Sequence, residues 1–155
     1  MTDMTDAIGI IGGSGLTQLS NLEVTHRQVV RTPYGEPSGA LTFGRLNGRD
    51  AVFLARHGYG HTIAPHQVNY RANLWALRTL GVQRVISQNA IGSVNPMLRP
   101  GDIVISHDFL DRTKGRPLSL FDQEECWVRV DMTQPFCPEV RQALLAATRS
   151  MPDRV

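Results

Sequence analysis

Five apolar residues, AIGII at positions 7–11, run directly into Gly12, Gly13, Ser14 and Gly15. No other feature narrows the possible folds as much. A short apolar run closed by glycines reads as a buried strand that delivers a loop at its carboxyl end. Further strands are expected at 23–31 (EVTHRQVVR) and on both sides of Asn47-Gly48, where ALTFGRL and RDAVFLAR flank the dipeptide best suited to a two-residue type I′ turn. Residues 32–39 (TPYGEPSG) between them are dense in turn formers.

Helical spacing begins after Pro65, where HQVNYRANLWALRTL places Val68, Ala72, Trp75, Ala76 and Thr79 in register before Gly81. Proline at the start and glycine past the end are the expected helix punctuation. A strand follows at 82–87, a loop at 88–101 and a further strand at 102–106 (DIVIS). The order strand, helix, strand implies an α/β fold with a partly parallel sheet. From 108 to 138 the chain is polar and irregular, and such long segments tend to be functional loops or subunit contacts, so contacts with a partner subunit are expected there. Pro138 then opens an amphipathic helix with Val140, Leu144 and Ala147 on one stripe. With no repeat and no shift in composition, the 155 residues read as one domain or part of one.

The composition fits a globular domain. A chain of this length buries roughly 70% of the surface its unfolded form would expose, so it can build a core without staples. Its net charge of +2 comes from fifteen Arg and the single Lys114, scattered among 14 acids without a block of like charge, which argues against a nucleic-acid partner. No run approaches the roughly 18 apolar residues of a membrane span, and MTDMTD is acidic and polar where a signal peptide would be basic and then apolar. No membrane association and a cytoplasmic location are therefore expected. Cys126 and Cys137 have ten residues between them and no CxxC partner, and read as reduced thiols that pack as small hydrophobes.

Three loop ends carry candidate chemistry. The glycines at 9, 12, 13 and 15 fit neither GxGxxG, since Gln18 stands where the last glycine belongs, nor a P-loop. Backbone N–H groups around Gly13, Ser14 and Gly15, with the Ser14 hydroxyl, suit an anion nest; the same residues also suit a plain strand-to-loop turn. Arg56 and His57 end the second hairpin strand, and a guanidinium fork beside an imidazole suits phosphate, although both also serve as strand-end residues. Asn89 and Ala90 follow the 82–87 strand. Because ligands of open α/β sheets gather at the carboxyl ends of strands, Ser14, Arg56, His57, Asn89 and Ala90 fall where one crevice would form. His57, His61 and His66 make no metal site, since glycines and Pro65 break any helix that would align them, and no GxSxG elbow supports a hydrolase triad.

The segments IGIIGGSGL, TPYGEPSGAL, LARHGYGHTIAPHQVNYRANLWAL, NAIGSVNPMLRPGDIVISHDFLDRTKGRP and PFCPEVR resemble, in order and spacing, the 5′-methylthioadenosine phosphorylase branch of the purine nucleoside phosphorylases. The resemblance implies a mixed, twisted sheet flanked by helices in a cytoplasmic homotrimer. It implies cleavage of the N-glycosidic bond of a purine nucleoside, foremost 5′-methylthioadenosine, by inorganic phosphate to give free purine and 5-methylthioribose 1-phosphate. No cofactor is needed, because phosphate is the co-substrate.

Residue by residue, Ser14 falls on the hydroxyl position of the family's glycine loop, Arg56 and His57 on its phosphate-binding Arg-His pair, and Asn89 and Ala90 on the pair after the next strand. That pair is often Thr-Ala in the methylthioadenosine branch and Asn-Ala in the broader group. Arg129 and Val130 stand where the methylthioadenosine enzymes tend to offer a histidine to the neighbouring subunit. By the same resemblance the base-binding acids belong beyond Val155, so this portion is the N-terminal part of the domain and is expected to be inactive alone, with its catalytic residues unknown. The alternatives are an S-methyl-5′-thioinosine or inosine/guanosine phosphorylase, a nucleosidase using water and, from another class, a non-catalytic phosphate- or nucleotide-binding fragment.

Overall fold

A computed structural model describes residues 4–16, 18–122 and 127–151. Cys126 and the first three residues of MTDMTD lie outside the described residues. Two compact units make up the chain, residues 1–91 and residues 92–155.

The first unit is built on a five-stranded mixed sheet. Its strands are β1 (Ile8–Gly12), β2 (Leu22–Gln28), β3 (Leu41–Leu46), β4 (Arg49–Ala55) and β5 (Arg84–Ser87), in the spatial order β2-β3-β4-β1-β5. Asn47 and Gly48 both take positive φ, 50° and 79°, so the β3–β4 connection has the type I′ backbone that the dipeptide favours. β2 adds antiparallel to β3 with a bulge between Val24 and His26, in keeping with its imperfect alternation. β1 enters parallel between β4 and β5. The expected partly parallel α/β sheet is therefore present.

Side chains of β4 alternate between two cores. Val52 and Leu54 join Ile11, Leu41 and Phe43 beneath α1 (Tyr70–Thr79), which contributes Ala76 and Leu77, while Ala51, Phe53 and Ala55 pack with Leu22 and are covered by Leu16 and Leu19. Burial on both faces explains why β4 reads as a nearly continuous apolar run.

The helix differs from expectation at its start and in its phase. Pro65 opens a separate 3₁₀ turn, Pro65–Gln67, and Val68 is extended. α1 starts at Tyr70 because the Asn69 side chain accepts the Ala72 N–H at 3.1 Å, a cap stronger than the signal of the proline. Its buried stripe is Ala72, Asn73, Ala76 and Leu77; Trp75, 38% exposed, lies off it with its ring edge on Tyr34, and Thr79 is exposed. The C-terminus is closed by Gly81 N–H to Arg78 O at 3.0 Å and Val82 N–H to Leu77 O at 3.2 Å, the paired bonds of a Schellman motif. Asn69 and Asn73 also tie down the 32–39 loop. Asn69 Nδ2 donates to Tyr34 O at 2.7 Å, and Asn73, 2% exposed, accepts the Ser38 N–H at 2.8 Å and donates to Ser38 Oγ at 3.0 Å.

The second unit holds α2 (Pro138–Thr148), begun by Pro138 as expected; Val140 and Leu144 are half-buried and Ala147 is exposed. Residues 102–106 form no strand, with Ile103 and Val104 exposed. A β-rich pentapeptide becomes a strand only where an edge offers ladder partners, and this one has none among the described residues. Cys137 is a free, exposed thiol, not the core hydrophobe expected, because it occupies the N-cap of α2. The irregular stretch is ordered locally by two Asp-x-Thr turns: Asp111 Oδ1 accepts the Thr113 N–H at 2.9 Å, and Asp131 Oδ1 accepts the Thr133 N–H at 2.9 Å.

Candidate functional site: an anion cradle at three strand ends

Because β4, β1 and β5 are parallel neighbours, their carboxyl ends lie along one edge, with Gly12 opposite Ala55 and Ile11 opposite Ser87. The pairing continues one step past each strand. Arg56 N–H donates to Gly12 O at 2.9 Å and Gln88 N–H to Ile11 O at 3.0 Å. The loops carrying Ser14, Arg56-His57 and Asn89-Ala90 therefore leave the sheet side by side.

The glycine loop is a tight turn closed by Leu16 N–H to Gly13 O at 3.1 Å, with Gly15 at φ 84°, the left-handed value a type II turn requires at its third residue. Ser14 stands exposed at its corner, and its hydroxyl makes no hydrogen bond among the described residues. Gly13 is buried, and a side chain there has no room: an added Cβ would meet the Arg56 guanidinium and stand 2.7 Å from Gln88 O.

Arg56 is fixed by neutral acceptors. Its Nη1 donates to Gln88 O at 3.3 Å and to Asn89 Oδ1, and it has no carboxylate partner among the described residues. A guanidinium held by carbonyls keeps its whole charge for an incoming anion. With Oδ1 engaged by Arg56, the Asn89 side chain keeps its Nδ2 as a donor.

His57, 8% exposed, is set by its own loop. Ile63 O stands 2.9 Å from Nδ1, and since a carbonyl only accepts, Nδ1 carries a proton and donates it within the loop. Ile63 N–H returns to His57 O at 3.1 Å, and the His61 ring stacks at 5.6 Å. Ala90 is exposed. The structure thus brings Arg56 and Asn89 into direct contact over Gly13, leaves Ser14 free on the adjoining turn and turns His57 into its loop. Gln88, which no motif had singled out, touches both other loops; the one sign of it in the sequence is its place directly after a strand. Among the described residues no group of three or more His, Cys, Asp or Glu side chains is placed to hold a metal.

The pattern describing the Phosphorylase superfamily matches residues 7–155. The chain belongs to that superfamily. Among phosphorylase relatives, it is 45% identical over 150 residues to the 6-oxopurine nucleoside phosphorylase of Pyrococcus furiosus, covering 93% of this chain and 56% of that protein. It is 47% identical over 148 residues to the S-methyl-5′-thioadenosine phosphorylase of Hyperthermus butylicus, covering 96% and 54%. The fold matches the solved methylthioadenosine phosphorylase of Schistosoma mansoni in complex with adenine, with a TM-score of 0.87, 40% identity and coverage of 94% of this chain and 54% of that one. Other structures of the Schistosoma enzyme, described as an adenosine/methylthioadenosine phosphorylase, carry threonine in place of a serine, an asparagine or both. The chain spans about half the length of the curated relatives it matches. The resemblance read from its motifs is borne out, as is the mixed sheet with helices that it implied.

Proposed function

We propose that the whole protein cleaves the N-glycosidic bond of a purine nucleoside with inorganic phosphate, and that Ser14, Arg56, His57, Asn89 and Ala90 hold that phosphate. The observation that carries the reading is the Arg56 guanidinium, fixed by Gln88 O and Asn89 and, among the described residues, without a carboxylate to neutralise it, beside a glycine turn whose serine hydroxyl has no partner among those residues. The Schistosoma enzyme adds support, since the serine and asparagine changed to threonine there stand as far apart in sequence as Ser14 and Asn89 do here.

In this reaction a phosphate oxygen forms the bond to C1′ as the C1′–N9 bond breaks. The bonding pair leaves with the purine, which takes up a proton. Fixed donors contribute by placing the dianion against a carbon that is gaining oxocarbenium character. The nucleophile is the substrate phosphate, so neither a covalent enzyme residue nor a cofactor is required.

5′-Methylthioadenosine is the first substrate proposed, giving adenine and 5-methylthioribose 1-phosphate. A 6-oxopurine nucleoside or 5′-methylthioinosine is the second, favoured by the Pyrococcus relative. Both units are proposed to belong to one phosphorylase domain, of which this chain carries the N-terminal portion, because the family match runs through them unbroken. A homotrimer in the cytoplasm, without nucleic-acid or membrane partners, completes the proposal; no helix among the described residues is long and apolar enough to cross a membrane. Exposed Phe109, Leu110, Trp127 and Val130 suit the subunit contacts expected of 108–138.

The test is to incubate the full-length protein with 5′-methylthioadenosine, 5′-methylthioinosine and inosine, with and without phosphate. Free purine released only with phosphate is the expected result. Release that ignores phosphate would make it a nucleosidase, and none under any condition a binding module.

A further inference from the structure

Gln88 lies where the β1–β5 ladder ends, and it makes three different bonds there. Its N–H donates to Ile11 O at 3.0 Å as the last backbone rung. Beyond that rung the ladder stops, and the N–H of buried Gly13, one residue past β1, meets the side-chain Oε1 of Gln88 at 3.4 Å. The Gln88 carbonyl, released from the ladder, accepts from Arg56 Nη1 at 3.3 Å. One residue therefore joins all three loops of the cradle. A buried N–H without a partner costs free energy, so the amide side chain has a definite task at Gly13.

We propose that Gln88 is the positioning residue of the anion cradle: its side chain supplies one more rung after the ladder stops, which sets the gap between the glycine turn and Arg56-Asn89. The inference rests on the phosphate-binding role proposed above for those loops. Gln88 touches no substrate. It fixes the width of the opening that the phosphate enters.

The length of the side chain makes this testable. Gln88→Ala removes the rung, Gln88→Asn is one methylene too short to reach, and Gln88→Glu keeps the acceptor while placing a negative charge next to Arg56. Phosphate affinity is read by calorimetry with inorganic phosphate, alongside hydrogen exchange at the Gly13 N–H and elsewhere in the sheet and the thermal unfolding midpoint, all on the full-length protein. In Gln88→Ala and Gln88→Asn the Gly13 N–H is expected to exchange faster and phosphate to bind about tenfold more weakly, with the midpoint lowered by no more than the loss of that one hydrogen bond and exchange elsewhere in the sheet unchanged. Gln88→Glu is expected to restore Gly13 protection yet bind phosphate more weakly still, which separates the rung from the charge.

Unchanged phosphate affinity in Gln88→Ala overturns the proposal. So does faster exchange throughout the sheet rather than at Gly13 alone, which would make Gln88 merely structural, and so does a parent protein that binds no phosphate. Phosphate binding that depends on Gln88 without any purine release would overturn the proposed reaction and leave the positioning role standing.

Discussion

The guanidinium of Arg56 occupies the space that a side chain would fill at Gly13. The two are 43 positions apart in the chain, and that contact joins the end of β4 to the turn after β1. Gly13→Ala must therefore displace Arg56 or Gln88 O. The expected outcome is a loss of about 1–3 kcal/mol in stability from overpacking, together with weaker phosphate binding, measured by denaturant unfolding and calorimetry. A variant with intact phosphate affinity would show that anion binding does not depend on how Arg56 packs against Gly13.

Arg56→Ala is expected to reduce kcat/KM for phosphate by about 2–4 kcal/mol of transition-state stabilisation. Arg56→Lys should recover little of this, because Nη1 alone holds Gln88 O and Asn89 Oδ1 and leaves Nη2 for an anion, whereas a lysine has one nitrogen for both tasks. Steady-state kinetics with phosphate as the varied substrate check both.

Asn73→Ala leaves the Ser38 N–H and hydroxyl buried without their partner and should cost about 1–3 kcal/mol of stability. Asn73→Leu is expected to fare no better, since replacing one partner with apolar volume does not satisfy the other. Thermal unfolding of both variants decides this.

The Thr133 hydroxyl and N–H hold the Asp131 carboxyl below the usual carboxylate range, and the Thr113 hydroxyl and N–H do the same for Asp111, where Arg116 adds to the effect. A carboxyl whose pKa is depressed in the folded chain favours the fold above its unfolded pKa and loses that contribution as the pH falls through the depressed value. Both turns are accordingly expected to be intact at neutral pH and to open only in acid, seen as loss of exchange protection at the Thr113 and Thr133 amides.

The local features were legible in the sequence. Asn47-Gly48 dictates its own turn, and the apolar run before Gly12 announced both β1 and the loop beyond it. The three loop ends could be placed together because parallel strands end on one edge. What could not be read depended on partners distant in the chain. Pro65 begins a 3₁₀ turn as readily as an α-helix, and only the Asn69 cap, reaching Ala72, shows where α1 begins. Residues 102–106 have strand composition but lack an edge to join among the described residues. The joint role of Gln88 arises where the β1–β5 ladder ends, which spacing along the chain does not encode.

The place of β1 between β4 and β5 has a consequence for how the protein comes into being. Among the five strands described, β1 comes first along the chain, yet its pairing cannot be completed until β5 is made, since its two neighbours end at Ala55 and Ser87. The β3–β4 hairpin can close by itself, whereas β1 must wait for chain made much later, and long-range parallel pairing is slow. The cradle is therefore among the last parts of the first unit to assemble, and phosphate present during refolding is expected to capture the finished state without hastening the steps that lead to it.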